Sequence, residues 1–215
     1  MNNKVETLIN IFTVDQGDVK LLLLRKKTEP YKGYWILPGN NLSKEETVED
    51  NITDSVYNQT GLLSLYIEQC HTFSKIDRIP DERMLAISFI GLIDSVTAKI
   101  KVEDRDTELE WFPITNLPKM GYDHDSITEY VLKYLGKKIV NANVLKTLYP
   151  SDFTLPELQK SFEQILGKTF DRRNFRKKFI NLDLIEDTNE FNEGGNGRPA
   201  KLYRFKENLR EKDLF

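Results

Sequence analysis

The apolar positions of the chain first fall into strand-like runs. Residues 5–14 (VETLINIFTV) and 19–26 (VKLLLLRK) are rich in aliphatic and β-branched side chains, and Asp15-Gln16-Gly17-Asp18 lies between them. That pattern predicts two strands joined by a tight hairpin. In TEPYKGYWILPG, Pro30, Gly33, Pro38 and Gly39 punctuate a short strand around residues 35–37. Ser43-Lys44-Glu45-Glu46 has the form of a capping box, with Ser43 as N-cap and Glu46 three residues on. It predicts a helix running to about Gln59 and stopped by Gly61. Residues 65–73 and 83–93 read as strands on either side of a polar loop, SKIDRIPDE, and Glu110-Trp111-Phe112 reads as another. A second helix is predicted over 125–135, ending at Gly136. Residues 1–136 are therefore a mixed α+β arrangement.

The period changes after Gly136-Lys137-Lys138. ANVLKTLYP reads as a helix stopped by Pro150. Thr154 then caps a helix with Pro156 in its first turn and Glu157 completing a capping box. Leu155, Leu158, Phe162, Ile165 and Leu166 follow helical spacing up to Gly167. Asp171 caps a third helix, RRNFRKKFINL, and strand-like pieces at 183–188 and 200–205 flank NEFNEGGNGRP. Three helices followed by a β-hairpin are the layout of a winged helix-turn-helix, so the boundary is placed between a domain of residues 1–138 and one of residues 139–215.

Charge sharpens this division. Residues 139–215 carry 14 Lys/Arg against 12 Asp/Glu, and the remainder carries 17 against 22, so the net charge of −3 hides a slightly basic C-terminal part. The positive charge concentrates in KTFDRRNFRKK, with six basic residues and one acid. Phe175, Phe179 and Leu182 share one helical face there, which turns Arg172, Arg173, Arg176 and Lys177 outward. A recognition helix needs this division between an apolar seat and cationic heads. Arg172, Arg173 and Asn174 are placed for base edges, and Lys177 and Lys178 lie further along for phosphates. Gly194, Gly195 and Gly197 allow a tight hairpin tip, from which Arg198 is suited to a narrow minor groove. Thr154 and Lys201 complete the DNA-contacting set. The apolar runs are too short to span a bilayer, and residues 1–10 show no signal-peptide pattern. The single cysteine, Cys70, excludes an internal disulfide and fits a reducing cytoplasm.

The first part holds a more specific pattern. Trp35-Ile36-Leu37-Pro38-Gly39, then Glu46, then Thr60-Gly61-Leu62 resemble the Nudix box, in which an R-E-x-x-E-E helix binds Mg²⁺. Aligned back from Gly61, Asn40 stands for the first glycine and Glu46 keeps the first carboxylate. The R-E-x-x-E-E segment becomes Asp54-Ser55-Val56-Tyr57-Asn58-Gln59, without its glutamates. Aligned forward from Gly39, the paired glutamates fall on Tyr57 and Asn58. The helix is expected to be scaffold, with no catalytic residues, no metal site and no cofactor.

The segments YKGYWILPG, EQCHTFSKIDRIPDERMLAISFIGLI, EWFPITNLP, MGYDHDSI, FTLPELQKSFEQILGKTFDRRNFRKKF and GRPAKLYRF together resemble the Nudix-related transcriptional regulators. The resemblance implies a Nudix-like α/β/α sandwich followed by a winged helix-turn-helix. It implies a cytoplasmic homodimer that senses ADP-ribose or a related nucleotide, binds a pseudo-palindromic double-stranded DNA operator, and represses genes of NAD metabolism. Control of sugar catabolism and residual ADP-ribose hydrolysis are the alternatives. An ADP-ribose pocket needs cations for the diphosphate and an aromatic face for the base, for which the candidates are Arg25, Arg78, Arg83, Phe73, Trp35 and His124.

Overall fold

The computed structural model of the chain describes residues 4–79, 82–100, 108–139, 142–149, 151–192 and 199–206. Two compact units result, Met1–Thr13 with Lys20–Tyr134 and Val14–Val19 with Leu135–Phe215. Among the described residues no helix is long and apolar enough to cross a membrane.

In the first unit the elements run β1 (Lys4–Asp15), β2 (Asp18–Arg25), β3 (Trp35–Ile36), β4 (Gly39–Asn41), α1 (Val48–Thr60), β5 (Tyr66–Phe73), β6 (Met84–Leu92), β7 (Leu109–Pro113) and α2 (His124–Lys138). They build one sheet in the order β3-β2-β1-β6-β5, with β4 paired to β1 and β7 to β2. The central strands β1 and β6 run parallel, Leu8 opposite Ser88, so the chain must cross over between them. Residues 7–14 of β1 are all buried, because helices cover both faces of this strand. On one face Ile9 and Ile11 join Ile52 and Val56 of α1 in a core with Leu22, Leu62, Phe89 and Ile93. On the other, Asn10 Nδ2 donates to Thr128 Oγ1 of α2 at 2.8 Å. Each large aliphatic side chain sealed in such a core stabilises it by about 1.5–3 kcal/mol. This is the expected α/β/α sandwich.

Two boundaries differ from those read in the sequence. The N-cap of α1 is Thr47, not Ser43, and its side chain accepts from Asp50 N–H. Ser43 N–H does donate to Glu46 Oε1 at 2.7 Å, but Asn51 Nδ2 also donates to that oxygen, at 3.0 Å, and the pair closes a turn ahead of the helix. Two adjacent cap patterns, 43–46 and 47–50, competed, and the second starts the helix. The C-terminal stop holds as expected, with Gly61 at φ 67° and its N–H donating to Tyr57 O. Helix α2 continues through Gly136 to Lys138. Burial of Leu135 and Ile139 on either side outweighs the roughly 1 kcal/mol that glycine costs a helix.

In the second unit α3 (Ala142–Leu148), β8 (Phe153–Thr154), α4 (Leu155–Leu166), α5 (Arg172–Asn181), β9 (Ile185–Phe191) and β10 (Lys201–Phe205) form the winged helix-turn-helix. Its sheet has the order β8-β10-β9. Strand β8 has only two residues, too few to show a period. Strand β9 begins two residues later than expected and extends three further. The hairpin tip, with Gly194, Gly195, Gly197 and Arg198, lies outside the described residues.

Candidate nucleic-acid interface and ligand pocket

The sequence sets α5 by local chemistry. Helix α4 carries the expected capping box: Thr154 Oγ1 accepts from Glu157 N–H, and Glu157 Oε2 accepts from Thr154 N–H at 2.8 Å. Gly167 ends it in the left-handed conformation at φ 61°. The turn is then braced from α4. Gln159 Nε2 donates to Phe170 O at 2.8 Å, and Phe170 N–H donates to Glu163 Oε1 at 2.8 Å. Asp171 caps α5 by accepting from Asn174 N–H at 2.9 Å. Phe175 and Phe179 both seat edge-on against Phe162, with ring centroids 5.5 Å apart. With that face buried, Arg172, Arg173, Asn174, Arg176 and Lys177 are all exposed.

Beside this cationic face a groove of about 320 Å³ is lined by Leu155, Pro156, Arg172, Arg176, Phe191 and Lys201, among others. Arg176 Nη2 donates to Tyr203 Oη at 3.4 Å. Lys201 pairs with Asp187, and that contact, with Asn189 N–H, holds the Asp187 carboxyl below its usual range. A helix and a wing edge thus present cations on the same surface of the unit.

The first unit contains a separate cavity of about 480 Å³ at the head of the β-sheet. Lys26, Ile36, Asn40, Glu82, Tyr122 and His124 are among its lining residues. The size suits a small organic ligand. Lys26 Nζ stands 5.7 Å from the Tyr122 ring centroid, and Tyr31 packs 4.6 Å from that ring. Tyr31 (φ 69°) and Tyr122 (φ 57°) both occupy the left-handed backbone region, a strained conformation for large side chains. Behind this wall lies the buried Arg78. Its Nη1 donates to Glu6 Oε1 at 2.7 Å, and its Nε and Nη2 donate to the two oxygens of Asp123 at 3.0 and 2.9 Å. Burial raises the Glu6 carboxyl above its usual range despite the adjacent guanidinium. His124 Nδ1 accepts from Leu37 N–H at 3.0 Å. Burial first, then the charges of Arg78 and Lys26, push the imidazole down to about 3, so it is neutral and presents Nδ1 as an acceptor.

Known proteins resemble this chain in sequence and in fold. Residues 144–205 match the NrtR DNA-binding winged helix domain. Over 199 residues the chain is 29% identical to the ADPR responsive transcriptional repressor NtrR of Acinetobacter baylyi, covering 91% of this chain and 79% of that protein. The crystal structure of Shewanella oneidensis NrtR complexed with a 27mer DNA superposes with a TM-score of 0.75 at 26% identity, covering 94% of this chain and 93% of that one. Over 119 residues the chain is also 32% identical to the ADP-ribose pyrophosphatase of Methanocaldococcus jannaschii, covering 55% of this chain and 69% of that enzyme. The chain belongs to the Nudix-related transcriptional regulators.

In this regulator the residues read from sequence as ligand contacts do not converge. His124 lines the cavity. Arg25 is exposed at the end of β2, paired with Glu108 at 2.8 Å and lying 5.9 Å from the Trp35 ring centroid. Trp35 is half-buried with its ring 4.8 Å from Phe112. Phe73 belongs to another aromatic group, with His71 and Tyr130. Arg83 donates to Lys75 O at 2.7 Å. Arg78 is committed to its two carboxylates, and the hydroxyl of Thr154 to its cap. Lys26, Tyr122 and Asn40 are among the lining residues that sequence reasoning missed. Neighbouring residues at a strand end point to opposite faces, so singling out Arg25 passed over Lys26 beside it.

The His124 geometry sets a pH dependence. Its folded value of about 3 lies below the unfolded 6.5, so acid protonates the unfolded chain first. This contribution to stability is present above pH 6.5 and is lost as pH falls, by about 1.4 kcal/mol per unit until the folded group titrates. His124→Asn, which keeps an acceptor for Leu37 N–H, should remove that component from urea unfolding measured between pH 7.5 and 5.

Proposed function

We propose that this regulator is a cytoplasmic, homodimeric transcriptional repressor that binds a pseudo-palindromic operator through residues 139–215 and senses ADP-ribose through residues 1–138. The cationic face of α5, seated by Phe175 and Phe179, is the observation that carries it. The likeness to a repressor described as ADPR responsive supports both halves. Genes of NAD metabolism are the proposed regulon. Two α5 helices related by a dimer axis would enter successive major grooves. In the pocket, Lys26 supplies charge for the diphosphate and Tyr122 a ring face for the base. Arg172, Arg173 and Asn174 serve as base readers, and Arg176, Lys177 and Lys201 as phosphate contacts.

The sensor half is proposed to have no hydrolase activity. On α1 the positions of the Nudix metal helix are Asp54, Ser55, Tyr57, Asn58 and Gln59. Glu46, the one retained carboxylate, accepts from Ser43 N–H and Asn51 Nδ2, which hold it below the usual carboxylate range. Asp50 accepts from Thr47 Oγ1 at 2.7 Å. These carboxylates brace the start of the helix. The ADP-ribose pyrophosphatase among its relatives favours a second function, Mg²⁺-dependent cleavage of ADP-ribose. Turnover that is lost in Glu46→Gln would establish it.

Selection of source-genome fragments by the purified protein, with and without ADP-ribose, tests the proposal. A palindromic site beside NAD-metabolism genes, lost on adding ADP-ribose, is expected. A site beside sugar-catabolism genes that ignores ADP-ribose would replace the effector, and no enrichment at all would overturn the repressor assignment. Titration calorimetry tests the pocket. Lys26→Met should weaken ADP-ribose binding by roughly 10- to 100-fold, as expected for one charge-assisted contact. An unchanged affinity would place the diphosphate elsewhere.

A further inference from the structure

Helix α1 makes an unusual contact with the wall of the pocket. Gln59 Oε1 accepts from Gly39 N–H at 3.0 Å, and Gln59 Nε2 donates to Gly39 O at 2.8 Å. One side-chain amide therefore satisfies both backbone groups of a single residue, as a paired strand would. Gly39 lines the pocket together with Asn40 and Asn41. Its backbone sits at φ 157°, and a Cβ there would fall 2.0 Å from Thr7 O, so the turn lies directly against β1. Asn51, further up the same helix, donates to Asn41 O at 3.1 Å. Thus α1 grips both ends of β4, and β4 forms one wall of the cavity.

The chemistry is selective. Only an amide offers a donor and an acceptor side by side at neutral pH. A glutamate would accept from Gly39 N–H but face Gly39 O with a second acceptor. Alanine would leave both half-buried backbone groups without this partner.

We infer that Gln59 is a positioning residue for effector binding, holding the Gly39 turn in the shape that presents Asn40 and Asn41 to the ligand. The inference rests on the assignment of this cavity to ADP-ribose. It gives α1 a task in a chain whose metal carboxylates are replaced: the helix fixes the pocket wall by hydrogen bonds.

The test uses the full-length protein and its Gln59→Ala and Gln59→Glu variants. Operator affinity without ADP-ribose should match the parent in both, which verifies folding. ADP-ribose affinity at pH 7.5 should fall about 10-fold or more in each. For Gln59→Glu it should recover as pH drops toward 5, because the protonated carboxyl regains a donor for Gly39 O, while Gln59→Ala stays weak throughout. A merely structural glutamine would show no such pH-dependent recovery. Amide exchange of the ligand-free protein separates the two claims. If parent protein does not bind ADP-ribose, the effector assignment fails, and faster exchange at Gly39 in Gln59→Ala still supports the clamp. Parent-like exchange at Gly39 in Gln59→Ala, or parent-like ADP-ribose affinity in both variants, would overturn the inference.

Discussion

Replacing Arg172 and Arg173 together with alanine should cost operator binding roughly 30-fold to 10⁴-fold. A side chain reading a base edge bidentately contributes about 1–3 kcal/mol of discrimination, and two at separate bases add approximately. Both residues are exposed in the first turn of α5, ahead of the buried Phe175, so their loss leaves the aromatic seat intact. The melting temperature should therefore hold while affinity for the operator collapses toward that for random DNA. Fluorescence anisotropy with operator and scrambled duplexes at several salt concentrations measures this. The salt dependence should remain largely in place, because Arg176 and Lys177 stay exposed on α5 for phosphates. Retained discrimination between the two duplexes would remove α5 from the role of base reader.

Arg78→Met has the largest expected effect on the first unit. The guanidinium is almost fully buried and bridges Glu6 on β1 to Asp123 just ahead of α2. Removing one member of a buried ionic cluster leaves uncompensated charge behind, which costs about 3–5 kcal/mol. Urea unfolding at pH 7.5 should show a loss of that order. The variant should regain part of the loss in mild acid, because the Glu6 carboxyl is already raised by burial and can take up a proton once its partner is gone. A phosphate-binding arginine would behave oppositely, losing ADP-ribose affinity with stability unchanged. Finding that pattern would return Arg78 to the list of ligand contacts.

The contrast between these two arginine sites shows what a sequence can express. Helix α5 is legible because everything that defines it lies within about 15 residues. Asp171 caps it, Phe175 and Phe179 fall four apart, and the cations occupy the remaining directions of a 3.6-residue period. The capping box at Thr154 and the glycine stops at Gly61 and Gly167 are equally local, and they formed where the sequence placed them. Where two local signals competed, at Ser43 and Thr47, the side chain of Asn51 entered the choice, and pattern alone could not weigh it.

The sequence by itself thus determined the order of elements, the winged helix-turn-helix layout, the cationic face of α5 and the absence of glutamate from residues 54–59 of α1. Tertiary structure decided what the pocket is made of. Glu6, Arg78 and Asp123 are 72 and 45 residues apart along the chain, and they meet through the fold of the first unit, in which β1 lies beside β6. Gln59 and Gly39 are 20 residues apart and meet because α1 packs over β1 and β4. Such contacts carry no period in the sequence. An arginine that will bind a ligand and one that will be sealed between two carboxylates read alike until the sheet closes, because burial and partners, not residue type, set what a charged side chain does.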